Sequence, residues 1–172
     1  MSEGLVLEFV IEENLAEALS RGIAAGQDFS GPMKLIAVHL SGAAKLRFER
    51  EAGPDGTPWK KSRRAREEAG QTLTESGDLK NSIREDFGRD YAAAGPEASG
   101  GAAIYARIHQ LGGIIVPKVK KALSFAGRLF ARVVMPARPY MGFEADDPEF
   151  IVETLSNHLR NSITGGSSGA PA

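Results

Sequence analysis

The sequence predicts an α+β fold, on three observations. Apolar residues recur every three to four positions through residues 30–51, "SGPMKLIAVHLSGAAKLRFERE", the spacing of one helical face. In the middle of the chain, short segments with strand character flank turn residues, as antiparallel hairpins do. An amphipathic segment that opens on "DPE" at Asp147 carries the start signals of a final helix.

The elements follow in chain order. "LVLEFVIEE" alternates, with Leu5, Leu7, Phe9 and Ile11 on one face and Val6, Glu8, Val10 and Glu12 on the other. That is the period of a strand with one buried face. "NLAEALSRGIAAG" reads as a short helix, with Asn14 as N-cap and Gly26 as stop. In the long helix Ser30 is the cap and Pro32 sits in the first turn, where its missing N–H costs little. Its stripe is Met33, Ile36, Leu40, Ala43 and Leu46. The turn-rich "AGPDGTPW" ends it and carries the single tryptophan, Trp59. "KKSRRAREEAG" is polar throughout, a surface helix or an ordered arm. "LTESGDLKNSI" predicts a short helix broken at Gly77, with Asp78 capping the next turn.

"SIREDF" sets Ile83 and Phe87 against charges, and "DYAAAG" is its antiparallel partner across Gly88 and Arg89. "AAIYARIHQLGG" puts Ile104, Ile108 and Leu111 on one helical face, which Gly112 and Gly113 stop. "KALSF" and "RLFARVVM" form a hairpin about Ala126–Gly127. "PARPYMGF" is extended, because each proline pushes the residue before it out of the helical region. In the last helix Asp147 caps, Pro148 takes the first position, and Ile151, Leu155, Leu159 and Ile163 make the stripe. Length fits one domain over residues 1–163, with a flexible tail over residues 164–172.

Composition removes several classes of function. Formal net charge is -1, so no global field draws the chain to nucleic acid or membrane, and an electrostatic partner needs a local patch. There is no cysteine, and none of His39, His109 and His158 has a second histidine at metal-ligand spacing. No nucleophile elbow and no phosphate-binding loop are present. No cofactor, metal or catalytic residue is expected. The opening residues lack a signal peptide's basic leader, and no apolar run reaches spanning length, so a soluble protein of a cytoplasm-like compartment is expected.

Four features remain. His109 as a general base needs a positioned partner, and Glu85, Asp86 and Asp90 stand at no recognisable spacing from it; the other reading is a packed or interfacial histidine. Lys60, Lys61, Arg63, Arg64 and Arg66 can meet DNA phosphates, or form a solvated face or a contact to an acidic neighbour. Asp146 and Asp147 can do acid–base work or bind cations, although capping already accounts for one of them. "PARPYMGF" joins stiffness with Arg138, Tyr140 and Phe143, which suits either an interface anchor or a crossing strand of the core.

Four segments in order then carry a family resemblance: Pro54-Asp55-Gly56 with Trp59, Thr74 to Leu79, Tyr105 to Gly113, and Pro136 to Gly142. Over roughly residues 30–163 the chain resembles the phage virion morphogenesis (tail completion) family of Mu-like tailed bacteriophages. The resemblance implies a twisted, mainly antiparallel sheet packed against a long helix. It implies a non-catalytic virion protein of the head–tail neck, assembled in the host cytoplasm, with no membrane partner. Such proteins form rings, hexameric by preference or dodecameric, that terminate the tail or join it to the head connector around the DNA channel. Their neighbours are the tail tube protein, portal-side proteins and the passing genome. On that reading Trp59, Tyr105, His109, Gln110, Arg138 and Tyr140 organise the fold and the subunit contact, and Lys60 to Arg66 face DNA or an adjacent ring. The rival functions are a head-side adaptor or stopper, a small DNA-binding module, and a hydrolase centred on His109.

Overall fold

The computed structural model describes residues 13–97, 101–117, 122–125 and 128–164. The strand expected at Leu5–Glu12 and the tail after Thr164 lie outside the described residues. Helix α1 (Glu13–Gln27) is followed almost at once by α2 (Ser30–Arg50). Asn14 therefore stands inside α1, not ahead of it, and Gly26 is passed before the helix stops. Asp28 makes the join, its Oδ1 accepting the Ser30 N–H at 2.9 Å. Ser30 is the first residue of α2 and not its cap: Phe29 holds the cap position, with no side-chain bond to the helix. α2 ends where Glu51 turns left-handed, at φ 52°.

The predicted stripe of α2 lies at the margin of its inward face: Ile36 is buried and Met33, Leu40 and Ala43 are half-buried. Ile36, Ala37, Ser41, Ala44, Arg47 and Phe48 are the buried positions beyond its first turn, whereas Leu46 is exposed. α2 packs against a hairpin on one side and a helix on the other. Its inward face is therefore wider than one apolar stripe and takes in an arginine. The hairpin, antiparallel as the sequence predicts, is β1 (Ile83–Phe87) with β2 (Ala92–Pro96); its register runs from Ile83↔Pro96 to Phe87↔Ala92. The helix is α6 (Asp147–Thr164), which also covers α1.

Short helices α3 (Arg63–Glu67) and α4 (Asp78–Asn81) lie between α2 and β1. Asp78 does not cap α4. Gly77 is the N-cap at φ 78°, a left-handed turn that glycine makes without strain, and Asp78 is the first helical residue.

After β2 come α5 (Gly101–Leu111), β3 (Gly113–Ile115), β4 (Leu123–Phe125), β5 (Arg128–Phe130) and β6 (Val133–Met135). The α+β class holds, with the sheet in pieces: the described strands form three antiparallel pairs, β1–β2, β3–β6 and β4–β5. "RLFARVVM" is two strands, because its first half pairs with β4 and its second half with β3. The predicted Ala126–Gly127 turn lies outside the described residues, but Phe125 and Arg128 pair across it.

One core cluster holds the body together: Ala44, Phe48, Trp59, Leu79, Ile83, Ala106 and Tyr140. Phe48 is its centre, edge-on to Trp59 at 5.5 Å and tilted against Tyr140 at 5.3 Å. Such aromatic pairs contribute about 0.5–1.5 kcal/mol beyond their buried area. The cluster sits at the C-terminal half of α2, and the site is built around it.

Candidate functional site

The segment Arg138–Met141 crosses the core without a strand partner among the described residues. A buried backbone must nevertheless satisfy its polar groups, and here side chains from three other elements do so. Gln110 on α5 does most. Its Oε1 accepts the N–H of Tyr140 and of Met141, each at 3.0 Å, and its Nε2 donates to Met141 O at 2.9 Å. Trp59 Nε1 donates to Pro139 O at 3.0 Å. Arg47 Nη1 donates to Tyr140 O at 3.0 Å, while its Nε reaches Glu144 Oε1, also at 3.0 Å. The Arg138 N–H donates to His109 O at 2.7 Å. Outward bonds complete the pin: Tyr140 Oη donates to Ala106 O at 3.2 Å and Arg138 Nε to Lys60 O at 2.8 Å. Burial pushes the Tyr140 phenol up and the Arg138 guanidinium down from their ordinary ranges.

This crossing explains why α5 turns the way it does. The sequence predicts Ile104, Ile108 and Leu111 as its anchors, but Leu111 is 64% exposed and Ile108 only half-buried; the side chain of Ile104 lies outside the described ones. Ala106 and Gln110, four residues apart, face the crossing instead, so the inward face of this helix is partly polar. Gly112, at φ 70°, turns the chain into β3 where a Cβ would come within 2.7 Å of Ala137 N.

Trp59, Tyr140 and Arg138 are thus buried in their own chain. Their side chains hold the fold, and Gln110 holds it with them. Arg47 is the residue that sequence reading missed. Its signal was an arginine on the helical face shared by Ala44 and Phe48, three and one residues away.

His109 lies half-buried beside the crossing. Its ring meets the Tyr105 ring edge-on at 5.8 Å, and its Nδ1 is buried without a hydrogen-bond partner. Burial, aided by the Arg138 charge, lowers its pKa below the ordinary 6.5. Glu85 and Asp86, its conceivable partners in sequence, are on β1, and Asp90 is in the turn beyond it. No described carboxylate orients this histidine as a base. The other acid candidate is likewise structural. Asp147 Oδ1 accepts from His39 Nε2 at 2.6 Å and its Oδ2 accepts the Glu144 N–H at 2.6 Å, so its carboxylate ties α6 to α2 and does not cap α6. Among the described residues no His, Cys, Asp and Glu cluster could hold a metal ion.

An open groove of about 830 Å³ runs along the outer side of this core. Tyr105, His109, Leu73, Leu79, Val134, Met135 and Pro136 line it. The basic segment forms its rim. Lys60, Lys61, Arg63, Arg64, Arg66 and Arg138 stand there against Glu67, Glu68 and Glu75. Arg63 pairs with Glu67 at 2.7 Å, Arg64 with Glu68 and Glu75, and Lys61 with Glu51 at 3.8 Å. Lys60 and Arg66 have no carboxylate partner among the described residues.

Fold and site define a scaffold, in which side chains close the polar groups of the Arg138–Met141 crossing, Arg47 Nη2 and His109 Nδ1 stay buried without a partner, and the open surface is a cationic groove. The sequence profile of the phage virion morphogenesis family matches residues 10–160, and the chain belongs to that family. It is 33% identical over 141 residues to a protein of Escherichia phage Mu, covering 76% of this chain and 79% of the relative; the relative's name assigns it provisionally to capsid assembly, as protein G. No solved structure matches. The chain is therefore a structural or assembly protein of a tailed-phage particle. No helix among the described residues is long and apolar enough to cross a membrane.

Proposed function

We propose that this chain forms a ring in the head–tail neck that completes the tail and joins it to the head connector around the DNA channel. The observation that carries this reading is an apolar surface that a lone subunit leaves in water. Leu111, Ile114, Val116, Leu129 and Val134, all in the stretch of chain from the end of α5 to β6, are exposed. Exposed apolar groups concentrated in one stretch of chain suit a contact surface. A closed ring that repeats a head-to-tail contact covers such a surface in every subunit. The pinned crossing follows this stretch directly and gives it a rigid base, so little ordering is left for assembly. The ring is a hexamer or a dodecamer, with the tail tube on one axial side and the connector on the other.

The Mu relative's name favours a second reading, a ring on the head side of the neck. One experiment separates them. Particles made without this chain should accumulate as filled heads and unjoined tails, and imaging of complete particles should show its density at the neck. Tails that end normally in its absence point to the head-side ring. Complete, infectious particles in its absence remove both readings.

A further inference from the structure

The groove has a strand in its lining and an excess of positive charge. β6 is paired with β3 along one edge, and no described residue pairs with its other edge, the kind of edge that can accept a strand. β6 also supplies Val134 and Met135 to the groove wall. Six cationic side chains line the groove against three glutamates. A duplex would bring its phosphates past those glutamates, and it offers nothing to the apolar wall. The complementary occupant is an extended peptide, apolar on one side and acidic on the other.

The chain contains such a segment. Leu5–Glu12 alternates in strand period, and residues 1–13 carry Glu3, Glu8, Glu12 and Glu13 with no lysine or arginine. It joins α1 directly, and α1 stands far from the groove of its own chain. His39 on α2 meets Asp147 at the start of α6, whereas Ala25 O on α1 bonds His158 at 3.2 Å and Gly22 lies against Ile163. α6 therefore lies antiparallel along both helices, and α1 continues the line of α2 away from Trp59 and the groove. α2 alone has 21 residues, about 30 Å at 1.5 Å per residue. Leu5–Glu12 fully extended spans at most about 28 Å, so it cannot lie in its own groove.

We infer that Leu5–Glu12 of a second copy docks along the open edge of β6, as an added strand. Leu7, Phe9 and Ile11 meet the apolar wall, and Glu8 and Glu12 face Lys60 and Arg66. Main-chain bonds to the edge give this mode its affinity and alternate side chains give its specificity. Donor and acceptor surfaces differ, so the contact is head-to-tail, as a ring requires. This inference rests on the proposed ring and names its contact.

The absence of cysteine allows a direct test. Full-length Leu7→Cys and Val134→Cys chains are mixed under mild oxidation, with Val152→Cys, an exposed position on α6, as control. The Leu7→Cys with Val134→Cys heterodimer should form at least about tenfold faster than the control pair, because docking raises the local thiol concentration. Adding Glu8→Lys and Glu12→Lys to the Leu7→Cys chain should erase the difference. Equal rates for both pairs overturn the inference. So does a chain bearing both cysteines that closes within itself at high dilution. The wild-type oligomer is measured in parallel by light scattering: rings without this cross-link remove the contact alone, and absence of both self-association and neck density removes the ring as well.

Discussion

Gln110 shows how one side chain can replace a strand partner. Its amide closes two N–H groups and one carbonyl of the Tyr140–Met141 backbone. Alanine there would leave all three unsatisfied where water has little access, a loss of about 2–4 kcal/mol. Gln110→Ala should lower the urea midpoint accordingly with an unchanged m-value, and Gln110→Glu, which keeps the acceptor and loses the donor, should recover part of it. His109 offers a second test. Its pKa is depressed in the folded state, by burial first and by Arg138 second. The unfolded chain therefore binds the proton more readily. Stability is complete above the unfolded value of 6.5 and is lost as pH falls through and below it. A plot of unfolding free energy against pH should slope downward on the acid side, and His109→Gln should flatten that slope. The sequence places His109 and Gln110 side by side on a helix, but it cannot say which meets backbone. That depends on Arg138–Met141, which returns to α5 some thirty residues later.

At the scale of elements, α2, the β1–β2 hairpin, α5 and α6 are legible because period and turn chemistry are local properties of the chain. The inward phase of α2 and α5 is not legible, since it is set by partners distant in sequence. α2 lies between a hairpin and α6, and α5 faces the polar crossing. Cap positions differ from the sequence expectation by small shifts of the helix start. Ser30, Asp78 and Asp147 all have cap chemistry, but each is the first helical residue, with Phe29 and Gly77 ahead of the first two. Asp147 is the instructive one, because its carboxylate joins α6 to His39 on α2, where His39 also stacks on Phe150 at 4.1 Å. Asp147→Ala should lower stability by about 2–4 kcal/mol, through the lost pair and the orphaned Glu144 N–H. Thermal melts of Asp147→Ala and Asp147→Asn distinguish this role from a capping one. The asparagine keeps an acceptor for the Glu144 N–H and should melt between wild type and the alanine variant, whereas a cap serving only α6 would make His39→Ala neutral.

For the whole molecule, the basic segment decides whether the groove meets nucleic acid or protein. Lys61, Arg63 and Arg64 each have a carboxylate within 4 Å, and Arg138 is buried, so among the described residues Lys60 and Arg66 are the exposed cations of the rim without a carboxylate partner. Both are exposed, and exposed substitutions away from packing change stability by less than about 0.5 kcal/mol. Lys60→Glu with Arg66→Glu should therefore leave the melting temperature nearly unchanged. If the groove receives an acidic segment, the same variant should lose self-association and particle completion together. If it faced DNA, the wild-type chain would bind duplex with a steep salt dependence, and the double substitution would reduce the slope of log affinity against log salt by about two. The glutamates on the same rim oppose that outcome, and duplex binding by the wild-type chain is expected to be absent at about 0.15 M salt, where charges more than about 8 Å apart are screened. A stable, well-folded double variant that still completes particles would show that the rim is only a solvated surface.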